Sequence, residues 1–354
     1  MPGSYLSAMI DVQLLGEICR IPGAPGFEEQ VRARVLREIE GLVDDVRVDA
    51  MGNIIARRRG REQRKVMCAA HMDEISFIVT HIDDEGFVRF HTLGGFDAKT
   101  LTAQRVIVHG SKDLVGVMGS KPIHLMKPEE RTKAPTIADY FIDLGLPKSE
   151  VEKHVKVGDS ITRERELIEM GECVNAKSLD NRVSVFILIE ALRALKGREL
   201  PYDFYAVFTV QEEVGLRGAM TAASQVDPDF AIGLDVTIAF DVPGAQPHEA
   251  VTRLGDGAAI KIMDGSIICD QRMVQHMKDT ADRHDITWQA EVLPAGGTDT
   301  AYLQRAGKRG SIAGAISIPC RHIHQVIEMC HQSDIAACTS LLVEVVGEMD
   351  LLKG

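Results

Sequence analysis

In the stretch "KVMCAAH", residues 65–71, everything after the opening lysine is apolar without a break until it ends on a histidine. Successive side chains of a strand point to opposite faces, so an uninterrupted apolar run needs cover on both. That places it at the centre of a sheet between two layers of helices. "FYAVFTV" (204–210), "FAIGLD" (230–235) and "GAISIP" (314–319) have the same character. Helical spacing joins Leu14, Leu15, Ile18 and Cys19, then Val31, Val35 and Ile39, and later Val185, Leu188, Ile189, Leu192 and Leu195. The pattern predicts an α/β fold: a three-layer domain with a mixed central sheet and helices on both faces.

Between residues 74 and 162 the texture changes. Short β-type runs alternate with glycines, and only "KSEVEKHV" has a helical pattern. This predicts a small β-rich insert, barrel-like or PDZ-like, at 74–162, interrupting a catalytic domain made of 1–73 and 163–354; a chain of 354 residues suits two domains. A hairpin is expected to turn at Gly52-Asn53, and the basic run "ARRRGREQRK" (56–65) is expected to be a solvated hairpin loop. The formal charge of -12, from 40 Lys+Arg against 52 Asp+Glu, opposes nucleic-acid and anionic-membrane binding. Seven scattered cysteines without a Cys-x-x-Cys pair point to free thiols in a reducing compartment. The N-terminus has no signal-peptide core and no apolar run reaches the ~18 residues that span a bilayer, so a cytoplasmic location is expected.

The apolar runs share a habit at their ends. The first ends in His71 with Asp73 beyond it, the second runs into Glu212 and Glu213, the third delivers Asp235, and the fourth leads to His322 and His324. Ligands of open α/β sheets bind outside the carboxyl ends of the strands, so these groups should converge. Asp180, just ahead of a helical stripe, either caps that helix or joins them. A single Glu-Glu pair is ordinarily a solvated strand end, and Gly296-Gly297 is either a plain turn or a close approach to substrate. Converging carboxylates, however, repel one another unless a strong positive charge lies among them. Imidazole and carboxylate donors without thiolates suit a catalytic divalent metal site. Three carboxylates leave two dications one charge short, which a bridging hydroxide nucleophile supplies.

Six motifs, "AAHMDEISFIV", "KSLDNR", "VQEEVGLRGA", "GLDVTIAFDVPG", "GGTDT" and "SIPCRHIH", resemble in order and spacing those of the tetrahedral aminopeptidases, dinuclear metallopeptidases that include glutamyl and deblocking aminopeptidases. The resemblance implies that Asp180 bridges two divalent ions (zinc, or cobalt or manganese), with His71 and Asp235 completing one and Glu213 and His324 the other. It implies that Glu212 is general base and acid, that Asp73 fixes the His71 ring, that peptides are the substrate, and that the chain is a homo-oligomer, a tetrahedral dodecamer built from dimers through the insert. Three departures stand out: His322 where the family has tyrosine, Gln325-Val326 where it has Ser-Pro, and "FDVPG" for Gly-Asp-Thr-Pro-Gly. His322 thus competes with His324 as a ligand. The competing readings are an endoglucanase-type glycosidase and a catalytically silent assembly protein.

Overall fold

A computed structural model describes residues 10–307 and 309–352, so the first nine residues of the N-terminal reading lie outside it. Helices Val12–Arg20 and Glu29–Glu38 precede strands β1 (Asp45–Val48), β2 (Ile54–Arg58) and β3 (Glu62–His71). Six short strands follow: β4 (Ser76–Ile82), β5 (Val88–Leu93), β6 (Arg105–His109), β7 (Asp113–Gly119), β8 (Phe141–Asp143) and β9 (Ser160–Arg163). The remainder carries β10 (Ile168–Met170), β11 (Cys173–Ala176), β12 (Tyr202–Thr209), β13 (Phe230–Ile238), β14 (Ala258–Met263), β15 (Trp288–Val292), β16 (Ile312–Cys320) and β17 (Glu328–His331).

Eight strands form one mixed sheet in the order β1-β2-β12-β3-β13-β16-β14-β15. Its centre, β12-β3-β13-β16, is parallel throughout. On β3, Val66, Cys68 and Ala70 pack into a core shared with Leu15, Ile18, Val183 and Ile187, whereas Met67 and Ala69 face Ala219, Ala222, Ala223 and Leu303 on the other side. Alternate residues thus feed two different helix layers, which is why the run has no polar member. Each fully buried Val, Leu, Ile or Met side chain among them contributes about 1.5–3 kcal/mol.

β2 and β3 follow one another in sequence but do not pair, because β12 lies between them. The basic run is therefore a crossover, not a hairpin loop. Its arginines are engaged within the chain: Arg57 pairs with Asp203 at 2.8 Å, Arg58 donates to the carbonyls of Leu195 and Arg198, and Arg64 lies over the Phe230 ring at 4.3 Å.

The six short strands close a barrel in the order β4-β5-β8-β7-β6-β9, filled by Phe77, Val79, Val106, Val108, Ile142 and Ile161. Closure leaves no strand edge unpaired. A separate antiparallel sheet, β10-β11-β17, sets Ala176 opposite Glu328.

The hairpin turn is fixed by two polar side chains. Asp49 Oδ1 accepts the backbone N–H groups of Met51, Gly52 and Asn53. The buried Asn53 amide donates to Asp49, to the Gly218 carbonyl and to Thr221, and its oxygen accepts the Val210 N–H at 3.1 Å. The hairpin is thereby tied to the end of β12. Gly218 is required there, since a Cβ would stand 2.4 Å from both Asn53 Oδ1 and the Val210 oxygen. Asn53→Ala strands these buried groups and is expected to cost about 3 kcal/mol in denaturant unfolding; a change below about 1 kcal/mol would show that the tie is not structural.

Candidate metal centre

Because four neighbouring strands are parallel, their carboxyl ends open on one edge of the sheet. Thr209 is in register with His71, Gly233 with Ala69, and Asp235 with Ser317. After β12 the chain turns at Gln211, whose φ is 54°, and the Asp73 carboxylate accepts the N–H groups of Glu212 and Glu213 at 3.0 and 3.1 Å. Asp180 lies in the irregular start of helix Leu179–Ala194, where its backbone is non-helical (φ -75°, ψ 104°) and its two carboxylate oxygens face imidazoles. Asn181 anchors that turn by donating to the Leu234 carbonyl of β13 at 2.9 Å.

Asp180 stands between two imidazoles. Its Oδ1 is 3.3 Å from His71 Nε2 and its Oδ2 is 3.2 Å from His324 Nε2. His71 Nε2 also lies 3.6 Å from Asp235 Oδ1 and 3.7 Å from Glu212 Oε2, and His324 Nε2 lies 3.5 Å from Glu213 Oε2. Donor atoms of His71, Asp180 and Glu213 fall within 4.8 Å of one another, as do those of His71, Glu212 and Asp235. His71 Nδ1 meets the Asp73 carbonyl at 3.1 Å and its carboxylate only at 3.5 Å. The backbone is thus the nearer partner of the ring, while the Asp73 carboxylate holds the glutamate turn.

His322 and His324 share a turn in which both have positive φ, 62° and 64°, rather than an extended stretch. His322 is exposed, and only His324 is among the carboxylates. Arg321 anchors the turn through two 2.6 Å contacts to Asp241, the acid of the divergent "FDVPG" segment.

Burial pushes the Glu212 and Glu213 carboxyls well above their usual range, opposed by the imidazoles and reinforced by neighbouring acids. Burial likewise raises Asp235. Burial would also raise Asp180, but hydrogen bonds from His324 and His71 hold it well below the usual range. Glu213 Oε1 is buried without a hydrogen-bond partner. A crowded set of oxygen and imidazole donors with an unsatisfied buried oxygen fits a divalent cation. A third group among the described residues, His284 with Glu344 and Glu348, is instead neutralised by Arg198 and Arg283.

Three other buried groups adjoin the site. Glu328 accepts the backbone N–H groups of Asp180 and His324. Asp299 takes a 2.5 Å hydrogen bond from Thr209 Oγ1. Glu74 pairs with Lys177 at 2.7 Å beside Arg182, which donates to the carbonyls of Ile18, Ile21 and Met72. Glu328 opens the short strand β17, and only packing reveals its role and that of the other two.

Burial would lower the His324 imidazole, but the Asp180 hydrogen bond and the Glu213 charge outweigh it and raise it to about 9. A raised histidine adds stability that is complete below its unfolded value near 6.5 and is lost as pH rises through about 9. In chelator-treated protein the difference in Tm between wild type and His324→Gln should therefore be widest near pH 6 and narrow by pH 10; a gap independent of pH would contradict the contact.

The chain matches the family described as M42 glutamyl aminopeptidase over residues 52–341. It is 31% identical to the lysyl aminopeptidase of Pyrococcus furiosus over 350 residues, 96% of this chain and 98% of that protein. The TET aminopeptidase structure from the marine sediment archaeon Thaumarchaeota archaeon SCGC AB-539-E09 superposes with a TM-score of 0.93 at 37% identity, covering 96% of both chains. The Pyrococcus horikoshii TET1 peptidase, which can assemble into a tetrahedron or a large octahedral shell, superposes at 0.86 with 32% identity, covering 95% of this chain and 99% of that one. By sequence and fold together, the chain belongs to the M42 glutamyl aminopeptidase family.

Proposed function

We propose that this chain is a metal-dependent aminopeptidase that releases N-terminal residues from unblocked peptides, with His71, Asp180 and Asp235 holding one divalent ion and Asp180, Glu213 and His324 the other. The observation that carries this reading is the pair of Asp180 oxygens, each within 3.3 Å of a different imidazole. Nitrogen and carboxylate donors suit zinc, with cobalt or manganese as alternatives. When bound, such ions supply Lewis acidity toward the scissile carbonyl and lower the pKa of a shared water.

Glu212 then acts as the proton carrier. Its carboxylate lies 3.7 Å from His71 Nε2, its proton affinity is raised by burial, and its backbone is fixed by Asp73. It takes a proton from the attacking water and returns it to the leaving amine. Its neighbour Glu213 binds instead of carrying a proton, so the adjacent glutamates divide two tasks.

We take 1–73 with 163–354 as the catalytic domain and 74–162 as a dimerisation module, its barrel closed by β9, which runs one residue past that boundary to Arg163. Val115, Val117, Ile123 and Leu125 are exposed on it, and the assemblies of the Pyrococcus horikoshii peptidase support a homo-oligomer, which we take to be a tetrahedral dodecamer. Seven free cysteines, six of them buried, support a cytoplasmic setting; no helix among the described residues is long and apolar enough to cross a membrane. A glycosidase would use an acid pair without metal, whereas the acids here crowd around two imidazoles. Chelation followed by metal readdition should abolish and restore cleavage of aminoacyl anilides, and activity that survives chelation would sink the reading. Glu212→Gln should retain two ions per subunit and lose at least about 10²-fold in kcat; near wild-type turnover would remove Glu212 from its role.

A further inference from the structure

Asp180 and His324, whose side chains meet at 3.2 Å, come from segments 144 positions apart in the chain. A single buried side chain connects them. Glu328 Oε2 accepts the Asp180 N–H at 3.0 Å, and Glu328 Oε1 accepts the His324 N–H at 3.1 Å. Glu328 reaches this position because β17 pairs with β11, the strand that leads into Lys177 and Asp180. Asn175 secures the approach by donating to the carbonyls of Ile327 and Glu328.

A fully buried carboxylate is costly without a positive neighbour. The barrel supplies it: Arg163, at the end of β9 and 2% exposed, stands 4.0 Å from Glu328 Oε1 over the face of Phe96. None of its three guanidinium nitrogens has a hydrogen-bond partner, so it acts on Glu328 as a charge. We propose that Glu328, with Arg163 4.0 Å away, is a positioning residue that fixes the backbones of Asp180 and His324 and so presets the ion site shared by Asp180, Glu213 and His324.

This inference rests on the metallopeptidase reading but can fail separately from it. In Glu328→Gln the amide oxygen serves one N–H, while the amide nitrogen confronts the other. Arg163→Gln keeps both hydrogen bonds and removes the charge. Apo full-length proteins, checked for fold by circular dichroism, would be titrated with Co(II) and followed by its visible spectrum. Wild type should fill two sites; Glu328→Gln should bind about 10- to 100-fold more weakly at the site that includes both Asp180 and His324 and less strongly affect the site that shares only Asp180, and Arg163→Gln should shift the same way by less. Amide exchange of metal-free Glu328→Gln, followed by mass spectrometry, should accelerate in the peptides containing Asp180 and His324. Unchanged Co(II) affinities and exchange in a folded Glu328→Gln protein would overturn the proposal. Should that variant not fold, Arg163→Gln decides: weaker binding at one site supports positioning, and wild-type affinity overturns it. If wild type takes up no Co(II), the metallopeptidase reading fails, while the exchange measurement still decides whether Glu328 orders these two backbones.

Discussion

Repulsion among buried carboxylates is the constraint around which this protein is arranged. Asp180, Glu212, Glu213 and Asp235 sit with two imidazoles at one edge of the sheet, and three of the four acids are driven toward protonation by burial. Asp180 escapes because both imidazoles address it. A chain would not retain this arrangement for stability, since apolar residues of similar volume would pack there at lower cost. The sheet, the two helix layers and the hydrogen-bonded turns act together to hold groups that would otherwise move apart.

Much of that was legible in the sequence, for a definite physical reason. Two-sided burial removes polar residues from a strand, so β3, β12, β13 and β16 announce themselves, and parallel pairing then requires their following residues to share an edge. His71, the glutamate pair, Asp235 and the segment with His322 and His324 follow from that reasoning, whereas the choice of His324 over His322 rests on the family resemblance. Pairing order could not. Nothing in residues 54–71 shows that β12 will enter between β2 and β3, because the choice is made by contacts with a segment about 140 residues downstream.

Local geometry at the site was also hidden. An extended path through His322 and His324 is the simplest expectation, yet both adopt positive φ and the Arg321 pair with Asp241 holds the turn. Asp73 reads naturally as the partner of His71, and it meets the ring with its carbonyl at 3.1 Å and its carboxylate at 3.5 Å, but the same carboxylate also accepts two downstream amides that the sequence does not reveal. Glu328 escaped notice because an acid in "VIEMC" has no meaning until β17 is set beside β11. In each case the deciding interaction joins segments distant in sequence, which periodicity and motif spacing do not encode.

The hydrogen-bonded alignment of the central strands has a further effect on how such a chain can vary. Strand side chains alternate with a period of two, so adding or deleting one residue within 66–70 or 230–235 would exchange the two helix-facing rows and swing His71 or Asp235 away from its counterparts. A change of length in the connections between elements, by contrast, leaves the strand faces and the edge that carries these groups in step.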